Sequence, residues 1–141
     1  MKKRAKMTVL TMLISSLLFA ISGWTSPAVT EPVGEEWVAP ASANSLKNPF
    51  KGSTSATEAG KKLYKQYCAI CHGNSGKGDG MAGTSLNPRP SNFTVDKAQN
   101  QTDGAIYWKM TEGRPPMASY KSILKEEQRW QLVNYIRTLK K

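Results

Sequence analysis

A chain of 141 residues has room for one domain, and its two cysteines and single histidine leave thiol or metal chemistry almost no spare ligands. Twenty Lys and Arg against ten Asp and Glu give a formal net charge of +10, with 39% hydrophobic and 9% aromatic residues. Collagen-like, disulfide-dense and highly charged disordered classes are thereby excluded, and a mean hydropathy of −0.48 excludes a polytopic membrane protein.

The chain opens on a basic cluster, Met1-Lys-Lys-Arg4-Ala-Lys6, followed by a mostly apolar run from Val9 to Ile21. Ser26 and Ala28 then stand like the −3 and −1 residues of a cleavage site. These features predict a signal peptide over residues 1–28. An uncleaved N-terminal anchor is the alternative, because Met7 to Trp24 is 18 residues without a charge, near the minimum for a membrane span. Either reading exports the rest of the chain to the periplasm, free or tethered through residues 7–24. Loss of residues 1–28 removes Lys2, Lys3, Arg4 and Lys6 and leaves 16 basic against 10 acidic residues, a net charge of +6.

Residues 29–54 hold Pro32, Pro40, Pro49, Gly34 and Gly52 with several Ser and Ala, and show no period of 2 or 3.6. This stretch reads as an extended linker, with Trp37 and Phe50 either folded back or carried on a tether. Residues 55–141 form the domain. Ser55-Ala-Thr-Glu58 has capping-box spacing, and Ala56, Ala59, Gly60, Leu63 and Tyr67 then share one helical face opposite Lys61, Lys62 and Lys65. A second helix is predicted from about Asp103 to Glu112, with Ile106, Tyr107 and Met110 at helical spacing and Gly113 as terminator. The last runs from about Lys125 to Leu139. Leu132, Val133, Ile136 and Leu139 form its apolar stripe, flanked by Tyr135, with Gln131, Asn134 and Thr138 on the other side. From Gly73 to Gln101 the chain is rich in Gly, Pro and Asn, and no run alternates as a strand. Helices are thus the only regular elements predicted. Three short helices and so long an irregular segment bury little apolar area unaided, so a large apolar body belongs in the middle.

Cys68-Ala-Ile-Cys71-His72, directly after the first helix, supplies it. A C-x-x-C-H run reads as covalent haem c attachment: Cys68 and Cys71 add to the two vinyl groups of one porphyrin, and His72 is held against the iron. A structural zinc site needs four ligands, and after these three no Cys or His remains. A thioredoxin-like dithiol needs a βαβ context that the pattern lacks. A plain disulfide suits an exported protein but leaves the irregular segment without a core.

The chain from about Ser55 to Lys141 resembles the class I monohaem cytochromes c. The resemblance rests on Gly60-Lys-Lys-Leu-Tyr64, Cys68-Ala-Ile-Cys71-His72-Gly73 and Gly76-Lys-Gly78-Asp-Gly80, then on Gly113-Arg-Pro-Pro-Met117 and Trp130-Gln-Leu-Val-Asn-Tyr135-Ile-Arg-Thr-Leu139. It implies an all-α, cytochrome c-like fold, three to four short helices wrapped around one covalent haem, with Gly60 set against the last helix near Tyr135. Lys125 departs from the pattern, standing where these proteins often place a Ser or Thr helix cap.

The sixth iron ligand must come from elsewhere, since His72 is the only histidine; Met81, Met110 and Met117 are the candidates, and without one of them the iron is open or lysine-bound. Met110 lies on the apolar face of the middle helix, and Met81 stands too close to the attachment site to cross the porphyrin easily. Met117 follows Arg114-Pro-Pro116, a stiff loop between two helices. In the resembling family the distal methionine occupies this place. His72 and Met117 are thus the expected iron ligands. With both axial positions filled no substrate reaches the iron, and a thioether ligand favours the ferrous state. The resemblance also implies a proline carbonyl, Pro88 or Pro90, that orients His72, and an aromatic, Tyr120, over the haem edge. Tyr107, Trp108 and Arg89 are either propionate contacts or core and surface residues.

Lys61, Lys62, Lys65, Lys77, Lys121 and Lys125 either ring the haem edge for docking on acidic redox partners or are ordinary solvated helix faces. The expected function is one-electron transfer between exported or membrane-bound redox complexes, as in a respiratory chain. The protein is then a carrier and not an enzyme, either a monomer or a subunit of a larger complex, with no nucleic-acid partner. The alternative is a small haem enzyme or sensor, peroxidase-like, with an open distal site. A third is a thiol redox protein using Cys68 and Cys71.

Overall fold

A computed structural model describes residues 36–141, all within one compact unit; residues 1–35, on which the expected signal peptide or anchor falls, lie outside the described residues. The described chain is all-α. Its helices are α1 (Ala41–Asn44), α2 (Thr54–Tyr67), α3 (Ala69–His72), α4 (Asp96–Gln99), α5 (Asp103–Glu112) and α6 (Glu126–Arg137). A 3₁₀ turn at Gly83–Ser85 interrupts the glycine-rich segment, and Arg114 and Met117 form an isolated antiparallel bridge.

The fold is organised by α2 crossing α6. A Cβ on Gly60 would sit inside the backbone carbonyl of Gln131, so only glycine lets the two helices approach this closely. One turn further on, Tyr64 of α2 meets Tyr135 of α6 with ring centroids 5.1 Å apart. Tyr64, Leu132 and Val133 are the largest fully buried side chains, and Ile106, Met110, Leu124, Trp130 and Ile136 complete their cluster. Leu132, Val133 and Ile136 of the predicted α6 stripe are buried, whereas Leu139 lies beyond the end of the helix at Arg137 and is half-buried on the cluster; the buried line of α2 is Ala56, Gly60 and Tyr64, with Leu63 and Tyr67 half-buried beside it. Tyr64, absent from the expected face, falls on the Ala56–Gly60 line at steps of four residues, the spacing of one helical row.

Helix entries follow local chemistry. The first begins earlier than expected: the Ser53 N–H closes a turn onto the Phe50 carbonyl, and the Ser53 hydroxyl accepts from the Ala56 N–H at 3.2 Å. Ser53 is the cap, and Ser55 lies inside the first turn. The second helix spans the predicted residues, capped by the Thr102 hydroxyl accepting from the Ala105 N–H at 3.0 Å. At α6 the unusual Lys125 cap is served from the other direction, because Gln128 Oε1 accepts the Lys125 N–H at 2.9 Å. A lysine side chain has no acceptor, so only this half of a capping box exists. Glu126 and Glu127 in the first turn add favourable charge at the helix N-terminus.

The segment expected as an extended linker over 29–54 is folded where it is described. From Trp37 to Ser53 it forms a strap against α5 and α6. Ala39 and Ala43 are buried with Ala105, and Phe50 packs on the main core. Asn48 Nδ2 donates to Asn134 Oδ1 at 2.7 Å, and Asn134 Nδ2 donates to the Phe50 carbonyl at 2.5 Å. Asn134, expected on the polar side of α6, is therefore buried, because the strap covers it.

Candidate functional site

The attachment motif grows directly out of α2. Cys68 ends that helix, its N–H donating to the Tyr64 carbonyl at 2.9 Å, and then opens the single turn α3. The Cys71 and His72 N–H groups return to the Cys68 carbonyl at 3.1 and 2.8 Å, so both thiols and the imidazole lie on one short turn. The glycine-rich segment folds back to hold that turn from outside. Gly78 N–H donates to the His72 carbonyl at 2.8 Å, Gly80 N–H to Cys71 at 3.1 Å and Ala82 N–H to Ile70 at 3.0 Å. From the core side, the Tyr64 hydroxyl donates to the Gly73 carbonyl at 2.9 Å.

His72 is fixed by two contacts. Its ring stacks on Phe93, with centroids 4.5 Å apart and planes 15° from parallel. Its Nδ1 lies 3.1 Å from the Ser91 carbonyl. A carbonyl only accepts, so the proton sits on Nδ1 and the Nε2 lone pair is left for a metal. The orienting carbonyl is Ser91, not Pro88 or Pro90; Pro90 instead presents its carbonyl to Gly78. Burial holds the His72 pKa below the usual imidazole value and so favours the neutral ring a ligand must be, while the bond to Ser91 pulls the other way.

Cys68 and Cys71 are both half-buried and are not joined to each other. Burial, with the neighbouring Cys71 second, pushes the Cys68 thiol up to about 12. Reactive dithiols have depressed pKa values, so this environment opposes the thiol redox alternative. Two unpaired thiols on one turn beside an imidazole with a directed Nε2 are the donor set that a covalent haem requires, and the residues fit that group.

The three candidate methionines fall into three environments. Met110 is 6% exposed inside the core cluster and Met81 is 81% exposed. Met117 is half-buried and packs on the edge of the core cluster, as do Tyr67, Cys68, Ala69 and Tyr120. The methionine loop and the attachment helix are joined directly: the Tyr120 hydroxyl donates to the Tyr67 carbonyl at 2.9 Å, and the two rings meet edge-on at 6.3 Å. Burial, then Cys68 and Cys71, push the Tyr120 phenol up to about 12. The loop is closed at both ends. Arg114 N–H donates to the Met117 carbonyl at 3.0 Å, Met117 N–H returns to Arg114 at 2.8 Å, and Tyr120 N–H donates to Met110 at 3.0 Å.

Tyr107 and Trp108 are engaged within the protein. Tyr107 stacks on Trp130 at 3.9 Å and its hydroxyl accepts from Arg129 Nη2 at 2.8 Å, while Trp108 packs on Trp37; Arg89 is exposed. Sequence reasoning passed over Arg129, which is 7% exposed and donates through Nη1 to the Leu124 carbonyl at 2.6 Å. It also passed over Ser91 and Phe93. An aromatic within a polar irregular run was the available signal for Phe93; Ser91 acts through its backbone and has none.

This fold and site define a c-type cytochrome: the family model for cytochrome c matches residues 57–140, and the chain belongs to that family. Its cofactor is one covalently bound haem c, used for electron transfer. In particular, the chain is similar to cytochrome c550 of Pseudomonas aeruginosa, with 28% identity over 136 residues, 89% of this chain and 86% of that one. Among solved structures it resembles a chain of the Kuenenia stuttgartiensis reducing HAO-like protein complex, with a TM-score of 0.59 and 29% identity. That match covers 70% of this chain and 49% of the other, so this chain spans about half its length. A c-type cytochrome, KustC0563, matches with a TM-score of 0.50 and 33% identity over 58% of this chain and 98% of its own.

Proposed function

We propose that the protein is a one-electron carrier in which Cys68 and Cys71 hold the haem as thioethers, His72 is the proximal ligand and Met117 the distal one. The haem, when bound, supplies reversible exchange of one electron at its iron. The chain's own residues do the rest. Ser91 and Phe93 orient His72, the core cluster excludes water, and the closed loop 113–120 presents a thioether. The observation that carries the reading is the Tyr120–Tyr67 hydrogen bond at 2.9 Å, which draws the methionine loop against the residue preceding Cys68. Filled axial positions make the protein a carrier, in preference to an enzyme or sensor with an open distal site.

The proposal extends to export through the signal-like segment 1–28 to the periplasm, where c-type chemistry and partners of a respiratory chain would meet. The described residues contain no helix long and apolar enough to cross a membrane, so any membrane tether rests on residues 7–24. Exposed Ile70 and Met81 beside Lys65 on the attachment side support docking on a redox partner with an apolar centre and an acidic rim. Of the candidate docking lysines, Lys121 has a local counter-ion, Glu112 at 3.6 Å. The likeness to one chain of a multi-protein complex supports a place beside a larger redox assembly.

Visible spectra of oxidised and reduced protein beside Met117→Ala test this. A six-coordinate wild type whose spectrum changes in the variant is expected. An unchanged spectrum removes Met117 from the iron, and haem released by acid-acetone removes the thioethers. Electron transfer to an acidic partner should slow as ionic strength rises.

A further inference from the structure

The proximal side of the site is held from a distant place, the C-terminal end of α6. Ser91 and Phe93 supply both contacts that fix His72, so whatever sets residues 91–93 sets the imidazole. The two backbone polar groups of Phe93 are taken in opposite directions. Its N–H donates to the Gly76 carbonyl at 2.6 Å, within the glycine-rich segment that follows the attachment turn. Its carbonyl accepts from Gln99 Nε2 at 2.6 Å. The second hydrogen of that amide goes to the Ile136 carbonyl at 2.9 Å, in the last turn of α6. A residue tied at its N–H alone can still swing its side chain by rotating its own backbone; tied at both groups, it holds its ring in one place.

Gln99 is itself oriented by charge. Arg137 Nη1 donates to the Gln99 main-chain carbonyl at 2.6 Å and reaches Gln99 Oε1 at 3.3 Å. A guanidinium only donates, so the side-chain oxygen faces Arg137 and the amino group faces the two carbonyls. The same guanidinium is fixed through Nε by Asp103 at 2.7 Å and through Nη2 by the Gln101 carbonyl at 2.6 Å. The chain end adds a backbone tie, the Lys141 N–H donating to the Thr94 carbonyl at 3.2 Å. Gln99 is the side chain that joins the two segments.

We propose that Gln99 is a positioning residue for the proximal ligand: it pins the Phe93 carbonyl to the end of α6, and with it the ring on which His72 is seated. The proposal rests on the reading of His72 as proximal ligand. Loss of the amide leaves Phe93 held at its N–H and lets residues 91–93 draw away from the imidazole more often. The Nδ1–H bond to Ser91 is then made for a smaller share of the time. That bond raises the basicity of the ring, so weakening it makes His72 a poorer donor and raises the reduction potential.

The test uses haem-loaded wild type, Gln99→Met, Gln99→Glu and Asn48→Ala, read by proton NMR at His72 in the oxidised state and by redox titration. Exchange of the His72 Nδ1 proton with solvent should be about tenfold faster in Gln99→Met, equivalent to ~1.4 kcal/mol of local opening. The reduction potential of that variant, whose charge is unchanged, should rise above the wild-type value. Gln99→Glu keeps an acceptor for Arg137 and loses both donors, so it should accelerate exchange to a similar extent. It keeps the test decisive where the methionine variant folds poorly, and its added charge confines it to the exchange readout. Asn48→Ala loosens the strap, and should lower the melting temperature while exchange and potential keep wild-type values. Wild-type exchange in both Gln99 variants overturns the brace and leaves His72 on the iron. Equal acceleration in Asn48→Ala would reduce the effect to general loosening and overturn the proposal. His72 resonances left at their ordinary positions in the oxidised wild type remove His72 from the iron, and the brace with it.

Discussion

Two structures converge on α6 and are held in different ways. The α2 crossing is made by shape: a missing side chain at Gly60, two tyrosines one turn on, and a buried apolar cluster. The strap from Trp37 to Ser53 is made largely by single polar contacts, Asn48 to Asn134, Asn134 to Phe50 and Thr102 to Asn44, with small alanines between. Close packing is cooperative, so the crossing should fail as a unit. Discrete hydrogen bonds can open one at a time, so the strap should open locally while the crossing stands. Variants on each side test that contrast.

The largest effect belongs to the crossing. Gly60→Val forces side-chain atoms into the Gln131 backbone, which cannot rotate out of the way as a side chain would. The expected loss is at least ~3 kcal/mol, above the usual range for overpacking. Denaturant unfolding should show a lower midpoint, and the yield of haem-loaded protein should fall. A variant within ~1 kcal/mol of wild type would mean that the helices can separate freely, and the contrast would collapse.

Arg129 brings a polar clamp into the shape-held region. Its guanidinium donates to the Leu124 carbonyl at 2.6 Å and to the Tyr107 hydroxyl at 2.8 Å, and it lies 5.2 Å from the Tyr107 ring centroid. Arg129→Met keeps the length and removes every donor, leaving buried acceptors unmatched. A loss of about 2–3 kcal/mol is expected in equilibrium unfolding. Loss of under ~0.5 kcal/mol would show that the loop into α6 is held by packing alone. Asn134→Ala acts on the strap and should cost about 1–2 kcal/mol. Its signature is local: exchange at amides of residues 43–50 rises while those in the middle of α2 keep wild-type protection. Uniform acceleration across both would make strap and crossing one cooperative unit.

The same contrast decides what the sequence could reveal. The α6 stripe and the span of α5 were legible because repeated apolar spacing reports repeated burial. Gly60 was legible through resemblance, and the C-x-x-C-H run through its chemistry. The strap was not, since Pro, Ser, Ala and Asn without a period look alike whether free or held by one-off bonds. Asn134 misled for that reason: periodicity assigns a polar residue to solvent, and only the partner across 86 positions reverses the assignment. Ser91 was hidden because a backbone carbonyl carries no residue signature, and two nearby prolines drew the expectation. Ser53 and Ser55 are equivalent caps on paper, and the turn from Phe50 selects the first. Met117 was singled out by the stiff Arg114-Pro-Pro116 loop before it and by resemblance, while its loop's tie to α2 through Tyr120 needed coordinates.

The smallest expected effect lies where the crossing meets the haem turn. Tyr64 is fully buried and its hydroxyl donates to the Gly73 carbonyl at 2.9 Å. Tyr64→Phe keeps the ring and should cost about 1 kcal/mol at neutral pH. Its pH dependence is more diagnostic. Burial, followed by Cys68, Tyr135 and Asp79, raises the Tyr64 pKa well above its ordinary 10.0. The unfolded phenol loses its proton from about that pH while the folded one keeps it. Above that point the unfolded state binds fewer protons, and stability falls as pH rises. Tyr120, pushed up to about 12 mainly by burial, contributes in the same direction between its ordinary 10.0 and that value. Unfolding of wild type followed from pH 9 upward should therefore steepen beyond about pH 10. Tyr64→Phe should lose part of that slope and retain the part due to Tyr120. An identical slope in both proteins would show that Tyr64 opens to water without unfolding, and the crossing would then share the strap's local mobility.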